Sequence, residues 1–396
     1  MAVRKMAEGV EWVGSIDWSR RLFDELIPLP SGTSYNAYLV RGKGKTALVD
    51  TVDPTKVDEL MVNLARAGVK RLDYVVVNHA EQDHAGSIPM ILGRYPEAKL
   101  VTNEKCAEML SLLLHVDKER VMQVKDLEAL ELGGLTLKFH LMPWVHWPET
   151  MVTYLEEEKM LFTCDFFGSH LATAALYADE EPGVLEAAKR YYAEIMMPFR
   201  SSIKGHLEQL KKLEIETIAP SHGPIWRDPS VIMDAYREWV SESLEDVVVI
   251  PYVSMHGSTE KMVEHFSNAL IERGIRVKPF NLAVTDTGEL AKALIGAATF
   301  VLGTPTVLFG PHPKAVYAAY LISVLKPKAR YASLIGSYGW GGKTAKMVSD
   351  LVSAPEREII PPVLVRGYPN REALKALDAL ADQIAERHRS DPRIRR

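Results

Sequence analysis

Beyond Pro229 the chain alternates strand-like and helix-like segments five times, and no other feature limits its possible folds so tightly. Apolar runs occupy Val247 to Val253, Val277 to Asn281, Ala298 to Gly303, Tyr331 to Ile335 and Pro362 to Arg366, and stretches such as VVVI and TFVLG are apolar at every position. A strand buried on both faces reads this way, whereas a half-exposed strand alternates. Helix-like segments lie between and after them: Thr259 to Arg273, Gly288 to Ile295, Pro313 to Leu325, Lys343 to Ser353 and Asn370 to His388. Strands that need cover on both faces, each followed by a crossing helix, predict a doubly wound α/β domain with a five-stranded parallel sheet. A polar helix-like stretch, Val231 to Glu245, leads into it, so the boundary is placed near Glu245 and the domains are 1–245 and 246–396. The closing RHRSDPRIRR is polar and is expected to fray as a solvated end.

The first 220 residues follow a different pattern. Short strands are expected at Tyr35 to Val40, Thr46 to Thr51, Tyr74 to Asn78, Leu100 to Thr102, Leu135 to His140, Val152 to Tyr154 and Leu161 to Thr163. Helical periods fall at Lys56 to Ala67, Ser87 to Tyr95, Glu104 to Leu114 and Pro182 to Leu213. This is a layered α+β arrangement rather than strict strand-helix alternation. A chain of 396 residues also fits two domains at roughly 100–200 residues each.

Composition removes several classes. A net charge of −5 argues against nucleic acid as a general partner. The two cysteines, Cys106 and Cys164, form no CxxC pair, which leaves no disulfide framework, zinc ribbon or rubredoxin-type iron site. Met1 to Ser15 has no apolar stretch of signal-peptide length, and the longest apolar run, around Leu294 to Leu302, is too short to span a bilayer. A cytoplasmic protein without a membrane partner is expected.

The strand YVVVN runs straight into HAEQDH, which sets His79, Glu81, Asp83 and His84 within six residues, enough donors for two neighbouring ions. His146 lies in MPWVHWPE, Asp165 follows the strand LFTC, and His222 sits in APSHGP, each near the end of an expected strand, where functional loops are delivered. HxExDH followed by these three residues, at 61, 18 and 56 intervening positions, resembles the diiron variant of the metallo-β-lactamase fold, an αββα sandwich. The zinc hydrolases of that fold carry a histidine where this chain has Glu81. Three carboxylates, Glu81, Asp83 and Asp165, offset much of the charge of two iron ions, and hard oxygen donors suit iron. The resemblance implies that His79, Glu81 and His146 hold one iron, that Asp83, His84 and His222 hold the other, and that Asp165 bridges.

In the second half, VVVIPYV enters SMHGSTEKM just before a helix, a Ser/Thr/Gly loop of the kind that presents amides and hydroxyls to a phosphate. It has neither GxGxxG nor GK[ST], so neither NAD nor ATP is indicated. What remains is a flavodoxin-like loop in which Ser254, Met255, His256, Gly257, Ser258 and Thr259 cradle the phosphate of FMN. Two further loops leave the third and fourth strands: Thr304, Pro305, Thr306 and Val307 in the first, and Ser337, Tyr338, Gly339, Trp340, Gly341 and Gly342 in the second. Glycines there allow backbone to approach a planar ring while an aromatic lies against it. Many relatives carry an Asn in the middle loop where this chain has Val307 and Leu308.

Together the halves resemble the flavodiiron proteins, or A-type flavoproteins, over about residues 5 to 388. The resemblance implies reduction of O2 to water, of NO to N2O, or both, with electrons passing from a separate donor through FMN to two irons. The donor would be a rubredoxin-like protein or a reduced soluble cofactor, and the assembly a head-to-tail homodimer or a dimer of dimers. Some relatives have a histidine shortly after a DW pair, where DWSRRLFDE places Asp24 or Glu25. Tyr191 or Tyr192 corresponds to a tyrosine that lines the diiron pocket of relatives. His170, His115, His140 and His206 read as ordinary structural or surface histidines. Two other readings stay open: a zinc hydrolase with an appended flavodoxin-like module, and an electron carrier whose first domain has lost its metal.

Overall fold

The computed structural model describes residues 3–395, so Met1, Ala2 and Arg396, the ends of the two expected domains, lie outside the described residues. By internal contacts the chain forms two compact units. One comprises the described residues up to Tyr191 together with Phe199–Arg237, and the other Tyr192–Pro198 together with the residues from Glu238 onward.

Two large sheets make up most of the first unit. The seven-stranded sheet runs in the order Arg4–Ala7, Val10–Trp12, Tyr38–Arg41, Thr46–Val49, Tyr74–Val76, Lys99–Thr102, Val121–Gln123. The five-stranded sheet runs Ala129–Glu131, Thr136–Leu141, Met151–Leu155, Met160–Cys164, Thr217–Pro220. Alternation along the strands builds two cores. Tyr38, Val40, Ala47, Val49, Val76 and Val101 pack with Leu137, Phe139, Met151 and Phe162 of the second sheet. Their neighbours Leu39, Leu48, Val75 and Leu100 point the other way, onto helices Val57–Arg66, Ile88–Arg94 and Glu104–Leu114.

Three expectations for this half need correction. Tyr35 to Val40 is not one strand, because the Asn36 amide donates to Ser221 O and its side chain to Pro220 O and Gly223 O. Thr33–Tyr35 therefore pairs with Ser15–Asp17, while Tyr38–Arg41 joins the large sheet. The helix expected over Pro182 to Leu213 is broken into Val184–Tyr191, a wide turn at Tyr192–Met196, a tight turn at Met197–Phe199, and Arg200–Leu210. Pro198 has no N–H to continue the ladder. The strands from Arg4 to Pro28 and the strands Val121–Gln123 and Ala129–Glu131 were not anticipated; they span only two to four residues, too few to show a period.

In the second unit five parallel strands stand in the order Arg276–Asn281, Leu244–Tyr252, Ala297–Gly303, Tyr331–Tyr338, Val363–Arg366. Both faces are buried, as the unbroken apolar runs require. Val247, Val249, Phe300, Leu302 and Leu334 face the helices Thr287–Leu294, Pro313–Leu325 and Thr344–Val352. Val248, Ile250, Val301 and Ile335 face Ser258–Glu272 and Arg371–Ser390.

Two boundaries differ from expectation. The helix before the sheet is Pro229–Val240, and the first strand already begins at Leu244. The polar tail does not fray. Helix Arg371–Ser390 takes in its first four residues, and Ile394–Arg395 pairs in parallel with Leu244 and Glu245. Ile394 is buried against Leu244 and Ala298, while Arg393 clasps Asp391 through two side-chain hydrogen bonds. One apolar residue with a backbone ladder to join outweighs the polarity of its neighbours.

Candidate metal centre and ligand loops

His79 leaves the strand Tyr74–Val76, and the short helix Gln82–Ala85 that follows carries Asp83 and His84. His146 lies in the loop between Thr136–Leu141 and Met151–Leu155. Asp165 and His222 follow Met160–Cys164 and Thr217–Pro220, neighbouring parallel strands whose C-terminal ends lie side by side. Cross-links hold these loops: Thr51 N to His84 O, Ser221 N to Cys164 O and Ser169 N to His222 O. Gly223 has φ +75°, and a Cβ there would meet Ser169 Oγ at 2.0 Å. That turn therefore admits glycine alone.

All seven expected ligands meet in two groups. His79, Glu81 and His146 gather with Asp165, and Asp83 and His84 gather with His222. Nε2 of His79 and of His146 each lies 3.1 Å from Glu81 Oε2. In the second group His84 Nε2 is 3.3 Å from Asp83 Oδ1 and His222 Nε2 is 3.2 Å from Asp83 Oδ2. Asp165 stands between them. Its Oδ2 faces His79 and His146 at 3.4 and 3.3 Å, and its Oδ1 faces His84 and His222 at 3.0 and 3.4 Å.

Electrostatics gives the cluster its character. Burial opposes charge on the rings of His146 and His222, yet Asp165, with Glu81 beside the one and Asp83 beside the other, pushes them up to about 9 and about 10. Burial likewise works against a charged His79, but Glu149, Glu81 and Asp165 lift it well above the usual histidine range. Against its own burial, Asp165 is held well below the carboxylate range by His84, His146 and His222. The carboxylates draw protons onto rings that burial would keep neutral, so the pocket demands cationic charge. Both oxygens of Asp83, both ring nitrogens of His84 and Asp165 Oδ2 are buried without a hydrogen-bond partner. Converging donors that satisfy no hydrogen bond are what a pair of metal ions requires, and the mixed imidazole and carboxylate set fits iron. Cys164 also comes within reach of His84 and Asp165, but burial pushes its thiol up, away from the thiolate a metal needs.

The structure separates the two candidate tyrosines. Tyr191 donates its hydroxyl to Asp165 Oδ1 at 2.7 Å. Tyr192, the next residue, points about 100° away along the helix and packs its ring on Trp239, at 5.2 Å between centroids. Asp24 and Glu25 sit at left-handed φ on the turn between Leu22–Phe23 and Ile27–Pro28. Burial, then Glu81 and Asp83, push the Asp24 carboxyl up to about 6, so it stands at the rim of the site.

Sequence reasoning passed over several neighbours. His170, taken there for an ordinary histidine, lies 4.8 Å ring to ring from both His222 and Tyr191, and Thr33 Oγ1 shares a 2.9 Å hydrogen bond with its Nδ1. Its position five residues after Asp165 was the available signal. Glu149 bonds His79, and three residues after His146 it too was within sight. Phe23 lies 6.3 Å from His222 and Phe199 6.3 Å from His146, forming apolar walls that no spacing announced.

In the second unit the three expected loops converge at the C-terminal ends of adjacent strands. Gly257, at φ +82°, opens helix Ser258–Glu272, and Ser254 Oγ accepts from Glu260 N. Thr259 Oγ1 lies 3.5 Å from Ser337 Oγ, and Thr306 Oγ1 lies 2.8 Å from Thr344 Oγ1. A Cβ on Gly342 would meet Thr306 Cγ2 at 2.8 Å and Phe309 O at 2.9 Å. His312 N donates to Thr304 Oγ1, and Thr304 Oγ1 to Pro305 O. Thr306–Val307 and Gly310–Pro311 form a small hairpin whose tip, Leu308 and Phe309, is exposed at left-handed φ. Tyr338 O accepts from Gly367 N, Arg366 donates to Gly339 O, and Trp340 is exposed beside Gly341. Met255 is half exposed, next to His256. Hydroxyls, a helix N-terminus and an aromatic on one sheet edge suit a phosphorylated planar ligand. The fourth loop, with Arg366 and Gly367, was not anticipated.

Residues 33–223 match a family model described as ODP family beta lactamase. The chain is 36% identical over 392 residues to a nitric oxide reductase of Moorella thermoacetica, covering 96% of this chain and 98% of that one. Rubredoxin oxygen:oxidoreductase from Desulfovibrio gigas superposes with a TM-score of 0.93 at 30% identity, covering 97% of this chain and 98% of that one. The flavodiiron protein of Giardia intestinalis gives 0.89 at 27% identity, covering 97% and 96%. With relatives this similar along nearly its whole length, and with the two donor groups and the doubly wound sheet in place, the chain belongs to the flavodiiron protein family.

Proposed function

We propose that this protein is a flavodiiron oxidoreductase that reduces O2 to water, NO to N2O, or both, with electrons delivered through FMN. The observation that carries this reading is Asp165, whose two oxygens face two separate donor groups. His79, Glu81 and His146 would hold one iron and Asp83, His84 and His222 the other, with Asp165 facing both. When bound, the two irons supply one-electron steps at adjacent positions and the flavin supplies the store from which single electrons are drawn.

The chain's own residues do the rest. Three carboxylates neutralise ion charge within a buried pocket, and Phe23 and Phe199 keep bulk water from its walls. The Tyr191 hydroxyl fixes Asp165 Oδ1 and holds a proton at the centre. Asp24, with a pKa raised to about 6, can take up and release a proton near neutral pH. The flavin phosphate belongs at Ser254, Met255, His256, Gly257, Ser258 and Thr259. The ring would be held by Thr304, Pro305, Thr306 and Val307 together with Ser337, Tyr338, Gly339, Trp340, Gly341 and Gly342. Residues 1–245 then serve the metal and 246–396 the flavin.

A separate donor, a rubredoxin-like protein or a reduced soluble cofactor, supplies the electrons. A head-to-tail homodimer or a dimer of dimers and a cytoplasmic location complete the proposal. Among the described residues no helix is long and apolar enough to cross a membrane. The hydrolase alternative is not favoured, because Glu81 occupies the metal cluster and the relatives are named as reductases. Elemental and flavin analysis of anaerobically purified protein, followed by O2 and NO consumption, tests the reading. Iron with FMN and turnover of either gas are expected; zinc without flavin would overturn it.

A further inference from the structure

The two donor groups are anchored differently from behind. Glu149 is 2% exposed, and its Oε1 lies 2.7 Å from His79 Nδ1 while also accepting the Ala80 N–H at 3.1 Å. An oxygen that accepts an amide proton is a carboxylate acceptor, so Nδ1 of His79 carries the ring proton. Nε2 is thereby left toward Glu81 and Asp165, at 3.1 and 3.4 Å. Glu149 is itself fixed, because its carbonyl accepts from Asn103 Nδ2 at 2.6 Å, and Asn103 caps helix Glu104–Leu114. In the other group the His222 Nδ1–H donates to a neutral carbonyl, Ser34 O, at 2.7 Å, and His84 Nδ1 has no partner among the described residues.

We propose that Glu149 is a positioning residue that makes the two metal positions unequal: its charge strengthens His79 as a donor, so the ion on His79, Glu81 and His146 is held more tightly than the ion on Asp83, His84 and His222. A carboxylate behind a metal-bound imidazole pulls the ring proton outward and concentrates electron density on the coordinating nitrogen, which a backbone carbonyl does to a lesser degree. The inference rests on the diiron reading above and adds an order to the two ions.

Glu149→Gln isolates the charge, since the amide oxygen still accepts from His79 and Ala80. Full-length protein, purified with its irons and flavin, is challenged with an iron chelator and the release followed in time. Wild type is expected to lose one iron early, from the Asp83, His84 and His222 position, and one late. In Glu149→Gln the late phase accelerates about 10- to 100-fold while the early phase and the FMN content stay as in wild type. Glu149→Ala, which also frees the ring, accelerates the late phase at least as much; if it fails to fold, Glu149→Gln alone decides. A second readout is a reductive titration followed by electron paramagnetic resonance, in which the half-reduced signal appears at a less negative potential in Glu149→Gln. Unchanged release in Glu149→Gln, or equal acceleration of both phases, overturns the inference while leaving the diiron reading intact. Wild-type protein without iron overturns both.

Discussion

In the first unit side chains from three separate stretches of chain are sealed below the surface: His79, Glu81, Asp83, His84, Asp165 and His222 are all at most 8% exposed. In the second unit the three ligand loops stay open, with Leu308 90%, Trp340 68% and Phe309 66% exposed. The first site is made of charge, and burying charge is tolerable only where every group is compensated. Its geometry is therefore fixed by the interior around it. The second is made of backbone turns and hydroxyls at strand ends, whose shape comes from the chain itself, so it can remain at the surface. Chemistry that needs a cation needs enclosure, whereas a phosphate and a planar ring need only correctly bent loops.

Asp165→Ala attacks the enclosed site where both groups meet. Both irons are expected to be lost and gas consumption to fall by more than the roughly 100-fold that loss of a supporting residue costs, with FMN retained. Elemental analysis checks this, and retention of both irons would remove Asp165 from its place between them. Tyr191→Phe deletes one hydrogen bond to an ionised group, an effect of about 1.5–3 kcal/mol, or roughly 10- to 100-fold in turnover. Tyr192→Phe, one residue away, is expected to leave turnover unchanged; equal effects would erase the distinction between the two rings.

The open loops should respond more mildly and through flavin alone. Gly257→Ala puts a Cβ at φ +82° at a cost of about 1–2 kcal/mol, so FMN affinity measured by fluorescence quenching should weaken about 5- to 30-fold. Trp340→Ala removes a stacking face worth about 0.5–1.5 kcal/mol and should weaken it about 2- to 10-fold. Loss of iron in either variant would mean that the two sites are not built independently. The smallest effect is expected at the rim. Because the Asp24 carboxyl is raised from 3.8 to about 6 in the folded chain, its ionisation opposes folding. That penalty is absent below about pH 4 and complete above about pH 6. Metal-depleted Asp24→Asn should therefore melt slightly higher than wild type above pH 6 and equally at low pH; a constant difference would refute the assignment.

Legibility in the sequence followed the same division. The strands Leu244–Tyr252 and Ala297–Gly303 and the helix Ser258–Glu272 were readable because a doubly buried strand and an amphipathic helix announce themselves over many residues. Strands such as Ser15–Asp17 and Leu22–Phe23 were not, because so few residues carry no period. His79 to His84 were conspicuous as a run of donors, but His170 and Glu149 were single residues whose importance lies in what they touch.

By itself, then, the sequence determined the chemistry of the donors, the doubly wound half and the turn glycines, since each is a property of residue type and local spacing. Only the tertiary structure decided which oxygen of Asp165 faces which group, which of two adjacent tyrosines reaches it, and that Glu149 stands behind His79 while a neutral carbonyl stands behind His222. Those choices depend on ångström distances between segments up to about 190 residues apart, set by how two sheets pack, and no local pattern encodes them.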